Sequence, residues 1–291
     1  MLSAFFRQKY SWLTVGAISG SAPVLSVLDF PGYDNTVKSV LASQGNNCDG
    51  IVQSAFDQIV SIYNSPNGTS TLRKLFNVCP VPASFSLADL TSSLSGFVDV
   101  QGNNPDAGFP VTVMCNQLAA NAPSMGPLQA YRAYVQSQDP SCIDVDALAG
   151  VKAPGSDRSW TWQTCTEYGF FQTDVQSEIF GGSIHLDFFT DLCTRGFGNA
   201  LSDVPDTSAT NYRFGGMLQS QSSWIIFSNG LQDPWGSNLG INTPLGPTLN
   251  VSLSTSAHCA AYHPPSPNDP PNLVQSRIDI ANFVAQALSQ N

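Results

Sequence analysis

Three histidines, at positions 185, 258 and 263, are all the imidazole that this 291-residue chain offers for acid–base chemistry. His258 follows Asp233 by about 25 residues, and each stands just after an apolar run. A carboxylate that orients an imidazole, which then takes a proton from a hydroxyl or thiol, is the chemistry such a pair could do. Each residue also has an ordinary alternative, since Asp233-Pro234 is a common turn pair and a loop histidine can be a satisfied surface group. A nucleophile is harder to find. No G-x-S-x-G occurs, and the nearest imitation, Gly181-Gly182-Ser183-Ile184-His185, follows the short polar stretch Gln176-Ser177-Glu178-Ile179-Phe180. Ser183 therefore reads as part of a glycine turn, His185 as a packing or loop residue and His263 as a surface-loop residue. Cys259 adjoins His258, but neighbouring side chains rarely face one another, so it reads as a free thiol rather than a nucleophile.

The elements that must hold Asp233 and His258 are legible from periodicity. Trp224-Ile225-Ile226-Phe227 is a continuous apolar run ended by Ser228-Asn229-Gly230, which predicts a parallel strand buried on both faces. Leu249, Val251 and Leu253 alternate with polar residues, which predicts a strand nearer the sheet edge, and Leu273, Ile280, Val284 and Leu288 mark a closing helix. At the other end Leu2, Phe5, Phe6, Tyr10 and Leu13 follow helical spacing with Arg7, Gln8 and Lys9 opposite, and residues 14–19 form a small-residue strand. Between lie helical segments: Ile51, Val52, Ala55, Phe56, Ile59 and Val60 share one face, as do Leu87, Leu90, Leu94 and Phe97, and Pro127 opens a helix that carries Leu128, Tyr131 and Val135. Helix, strand, helical insertion, strand, strand, helix is the second half of an open α/β sheet. Both candidate residues then sit beyond the carboxyl ends of adjacent parallel strands, where such sheets bind ligands. Acid followed by base is also the chain order of an α/β-hydrolase triad.

Composition narrows the partners. Only 11% of residues are charged, with 21 acids against 11 bases for a net charge of -10. Phosphate binding needs clustered Lys and Arg, so nucleic acid is excluded, and an anionic membrane surface with it. No stretch approaches the roughly 18 consecutive apolar residues of a membrane span. The seven cysteines, at 48, 79, 115, 142, 165, 193 and 259, form no CxxC pair and read as a disulfide framework of an oxidising compartment rather than a metal site. The sequons Asn67-Gly68-Thr69 and Asn250-Val251-Ser252 agree, making Asn67 and Asn250 glycosylation candidates. No metal or other cofactor is expected. A secreted chain should open with a basic and then an apolar leader, and Met1 to Leu13 is instead amphipathic, so the expectation is that the beginning is missing.

Several strips together resemble a known family. They are Met1-Leu2-Ser3-Ala4 with Lys9-Tyr10, Gly16-Ala17 with Ser21-Ala22-Pro23, Trp162-Gln163-Thr164-Cys165-Thr166-Glu167-Tyr168-Gly169, Leu186-Asp187 with Leu192-Cys193, Asn229-Gly230 with Asp233-Pro234-Trp235, and Ala257-His258. In this order they are similar to the secreted and lysosomal serine peptidases that include prolyl-Xaa carboxypeptidase, dipeptidyl peptidase II and thymus-specific serine protease. The resemblance implies an α/β-hydrolase, incomplete at its N-terminal strands, with an inserted helical, disulfide-stapled cap domain. Residues 1–30 would be core, 31–205 the cap and 206–291 the remaining core with Asp233 as triad acid and His258 as base. The family elbow reads G-G-S-Y-G-G and then M-L, which Met1-Leu2 matches, so the nucleophilic serine is expected upstream of Met1 and this chain by itself is expected to be inactive. The substrates implied are peptides cut at prolyl bonds near an end. Trp235 and Met1 are candidate pocket walls, with Trp235 equally suited to packing under the acid, and Glu167 could hold a substrate terminus or a structural ion pair. The implied disulfides are Cys48 with Cys115, Cys79 with Cys142 and Cys165 with Cys193, leaving Cys259 odd. The resemblance further implies a secreted or lysosomal (vacuolar) location and a possible homodimer. The alternative is a non-catalytic binding protein on the same fold.

Overall fold

The computed structural model describes residues 1–198, 201, 204–216, 222–246 and 248–290. In chain order the helices are α1 (Leu2–Lys9), α2 (Gly32–Ser43), α3 (Cys48–Tyr63), α4 (Gly68–Leu75), α5 (Leu87–Ser95), α6 (Pro110–Met125), α7 (Pro127–Gln138), α8 (Ala149–Lys152), α9 (Ser156–Gln163), α10 (Leu186–Phe197), α11 (Thr207–Phe214), α12 (Pro234–Leu239) and α13 (Pro271–Leu288). The strands are β1 (Ala17–Gly20), β2 (Val27–Asp29), β3 (Gly169–Phe171), β4 (Ile225–Gly230) and β5 (Leu249–Ser254). The chain divides into two compact units: Met1–Ser26, Val100–Pro110 and Asp206–Asn291 form one, and Val27–Asp99 with Val111–Pro205 the other.

The first unit is built on a parallel sheet in the order β1-β4-β5. Ala17 pairs with Ile225 and Ile225 with Leu249, so β4 lies between the other two strands. Every residue of β4 is buried, whereas β5 is only partly so: Leu249, Ser252 and Ser254 are buried while Val251 is half-buried and Leu253 exposed, so its apolar alternation does not mark the buried face. Ala4, Phe5, Ala22, Val24, Ile225, Phe227, Ile241 and Leu249 close one core, with Phe5 stacked on Phe214 at 4.3 Å between ring centres. α13 packs on β4 and β5, burying Leu273, Ser276, Phe283 and Ala287 on one stripe.

α1 departs from its expected face. Its buried residues are Ala4, Phe5 and Arg7, while Leu2, Phe6, Tyr10 and Leu13 are exposed. Arg7 can be buried because its guanidinium donates to three carbonyls, those of Ser223, Ser11 and Thr14, which satisfy the fork that burial would otherwise strand.

The second unit is mostly helical. Cys48–Cys115 joins α3 to α6, Cys79–Cys142 ties two loops, and Cys165–Cys193 holds the π-helical turn Thr164–Tyr168 to α10. These are the pairs that the family resemblance implies. Ile51, Val52, Ala55, Phe56 and Ile59 of α3 are buried, as are Leu90 and Leu94 of α5 and Leu128, Tyr131 and Val135 of α7. β2 and β3 form a short parallel pair that the sequence did not announce. This pairing takes residues 27–29 into the helical unit rather than the core segment 1–30. Val100–Pro110, inside the expected insertion 31–205, groups instead with the sheet, for a reason its hydrogen bonds supply.

Candidate active site

β4 ends at Gly230, and three residues later Asp233 caps α12. Its Oδ1 accepts the Trp235 N–H at 3.0 Å and its Oδ2 accepts the Gly236 N–H at 3.1 Å. Pro234 occupies the first helical position, where its missing N–H costs nothing, so D-P-W is a complete helix start. The same Oδ1 meets His258 Nδ1 at 3.0 Å. Asp233 is wholly buried, whereas the His258 side chain keeps 34% of its surface. A carboxylate oxygen facing Nδ1 selects the tautomer protonated there, leaving Nε2 as the basic nitrogen.

The loops beyond β4 and β5 are sewn together. Leu231 N–H donates to Ser254 O at 2.8 Å and Gln232 N–H to Ser256 O at 3.2 Å. From the end of β1, Ser21 N–H donates to Ser228 O and Ser21 Oγ accepts the Cys259 N–H at 2.7 Å. Asn229 completes the frame: its Oδ1 accepts Ala22 N–H, and its Nδ2 donates to Ile241 O and Asn242 Oδ1 at 3.0 Å each. Three parallel strand ends thus converge on the acid, the base and a thiol.

Cys259 sits in the left-handed region with φ 55° and its thiol is free. Burial favours the neutral ring, whereas the Asp233 carboxylate favours the imidazolium and outweighs it, so the His258 pKa is raised above 6.5.

Trp235 is buried, its Nε1–H donating to Gln101 Oε1 at 2.7 Å. Met1 packs against the sheet core. Glu167 lies in the helical unit, on the π-helical turn. Ser183 is engaged with Thr91, Oγ to Oγ1 at 2.7 Å, in the same unit, and His185 stands at the start of α10. His263 pairs with Asp106 at 3.0 Å on the surface. Asn67 is exposed and makes no capping bond at the start of α4, while Asn250 is half-buried within β5. Among the described residues no group of His, Cys, Asp and Glu is arranged to hold a metal ion.

Sequence reasoning missed Ser21, Gln101, Asn104 and Asn229 as parts of this site. Gln101-Gly102-Asn103-Asn104-Pro105 reads as an ordinary polar loop, because the partners that bury Asn103 and Asn104 lie 129 or more residues away.

The family described as Serine carboxypeptidase S28 matches residues 1–280. The human thymus-specific serine protease is 29% identical over 307 residues, covering 96% of this chain and 59% of the relative. The human lysosomal Pro-X carboxypeptidase is 27% identical over 299 residues, covering 95% and 59%. A putative serine protease of Caenorhabditis elegans is 27% identical over 323 residues, covering 98% and 59%. The chain therefore spans about three fifths of the length of these curated relatives.

Proposed function

The chain belongs to the serine carboxypeptidase S28 family, and from that premise we propose that Asp233 and His258 are the acid and base of a serine exopeptidase acting on prolyl bonds near peptide ends. The observation that carries this reading is the 3.0 Å bond from His258 Nδ1 to a wholly buried, doubly capped Asp233 at the ends of adjacent parallel strands. In the reaction a serine hydroxyl attacks the prolyl carbonyl while His258 Nε2 takes its proton. The proton then passes to the departing amine, the C–N bond breaks, and water repeats the sequence on the resulting ester, releasing the acid and restoring the serine. Asp233 remains ionised throughout and stabilises the imidazolium.

Ser21 accepts the Cys259 N–H through its hydroxyl, and the Ser183 hydroxyl is paired with that of Thr91. Within this proposal the nucleophile comes from outside the 291 residues, the hydrolase sheet is incomplete in this chain, and the helical unit serves as a cap. Trp235 and Met1 then border the proline pocket. The disulfides and the lysosomal relative support a secreted or lysosomal setting, in which Asn67 is the sequon open to glycosylation.

The test is hydrolysis of proline-containing peptides, each end blocked in turn, by the 291-residue chain and by a polypeptide that also carries the G-G-S-Y-G-G elbow. Activity confined to the second, falling about a thousandfold or more in His258→Ala, is the expected result. Activity in the 291-residue chain that is lost in Cys259→Ala or Ser183→Ala would overturn it. Binding without hydrolysis in both forms would favour the non-catalytic alternative.

A further inference from the structure

We propose that the turn Gln101–Asn104 is the positioning device of the acid–base pair, with Asn104 fixing the backbone that carries His258 and Gln101 fixing the Trp235 indole beside the acid. The inference rests on the acid–base reading of Asp233 and His258 and adds residues that no motif in the chain marks.

Asn104 is 1% exposed. Its Oδ1 accepts the Ala257 N–H at 3.1 Å, and its Nδ2 donates to His258 O at 2.9 Å and to Gln101 O at 3.5 Å. Gln101 O in turn accepts the His258 N–H at 3.2 Å. Both backbone polar groups of the candidate base are therefore held by one turn, from a segment that returns to the sheet unit between two stretches of the helical one. A side chain of this reach with one acceptor and two donors has to be an amide. Aspartate would lose both donors, and leucine all three bonds.

The second arm has the same logic. Gln101 Oε1 accepts the Trp235 Nε1–H at 2.7 Å, and Trp235 N–H donates to Asp233 Oδ1, the atom that also holds His258. One turn thus reaches the base through its backbone and the acid through the helix start that Trp235 begins. A misplacement of about 1 Å in such a pair is enough to cost on the order of a hundredfold in rate, so a device that removes that freedom has a chemical consequence beyond stability. The neighbouring Asp106–His263 pair, partly exposed, is a surface tether of the same segment and contributes little by itself.

The experiment is proton NMR on the 291-residue chain, following the His258 Nδ1–H resonance and the pH titration of the ring in wild type, Asn104→Ala and Gln101→Ala. In Asn104→Ala the resonance should weaken and the titration midpoint should fall by about one pH unit or more, as the ring leaves Asp233. In Gln101→Ala the Trp235 indole N–H resonance should shift while that of His258 persists. A folded Asn104→Ala with an unchanged His258 titration would overturn the proposal. Should that variant fail to fold, amide exchange in the wild type decides: Ala257 and His258 must be among the slowly exchanging amides, and rapid exchange at both would sink the idea. Neither readout uses hydrolysis, so a failure of the peptidase reading leaves its own separate signature.

Discussion

Gly230 leaves no room for a side chain, since a Cβ there would lie 2.2 Å from Ser256 O and 2.5 Å from Ala257 O. The neighbours are backbone atoms of the segment that leads into His258, and they cannot swing aside. Gly230→Ala is therefore expected to cost about 2 kcal/mol or more and to displace the base from the acid, measured as a lower melting temperature together with loss of the His258 Nδ1–H resonance. Gly20 offers a contrast within the same sheet. A Cβ there would meet the far end of the Tyr262 ring at 2.2 Å, but that side chain is 49% exposed and can move outward. Gly20→Ala should accordingly be the milder change, and equal losses in the two variants would contradict the account. The strip N-G-x-x-D-P-W is thus read physically: Asn229 ties three segments, Gly230 admits the base loop, and Asp233 caps α12 while holding the imidazole.

Among the elements, the helical unit depends on its cross-links. Its helices are amphipathic, and α5 carries a reciprocal capping box of Ser86 and Asp89, whereas α2, α3, α4, α7, α9 and α10 have no side-chain cap at their starts. What binds distant helices together is the disulfide set. Chain-entropy reasoning gives about 4 kcal/mol for Cys48–Cys115, with 67 residues of separation, and roughly 3.5 kcal/mol for Cys165–Cys193, with 28. Paired Cys→Ser replacement should therefore destabilise in that order, read by denaturant unfolding, and a reversed order would show that native packing around α10 outweighs loop length. The helical faces in this unit were legible because 3.6-residue periodicity needs only local sequence. The β2–β3 pair was not, because Val27 and Gly169 are each too short a signal and meet only in three dimensions.

At the scale of the molecule, one buried carboxyl makes a contribution to stability that acid favours. Asp34 on α2 is buried, and its pKa is raised well above 3.8, first by loss of solvent and then by the nearby Asp174 charge. Asp174 has its own partners, accepting from Ser177 Oγ at 2.8 Å, Phe180 N–H at 2.9 Å and Gly182 N–H at 2.7 Å, while Lys38 of α2 is spent on Ser177 O. A carboxyl whose folded pKa exceeds its unfolded one takes up a proton on folding, so its penalty is absent below about pH 4 and grows as pH rises through the unfolded value toward the folded one. Asp34→Asn should raise the melting temperature at pH 7 and leave it nearly unchanged at pH 4, a comparison that calorimetry makes directly; parallel curves for the two proteins would refute it. The sequence by itself determined the strands and helices that follow local periodicity, the order of acid and base, and the family strips, because each is written in neighbouring residues. Only the tertiary structure decided which face of α1 is buried, since Arg7 goes inside where the carbonyls of Ser11 and Thr14, just beyond α1, and of the distant Ser223 receive it. It likewise decided that Val100–Pro110 belongs with the sheet and that Gln101 and Asn104 reach the site, because hydrogen bonds between residues far apart in the chain leave no periodic trace in sequence.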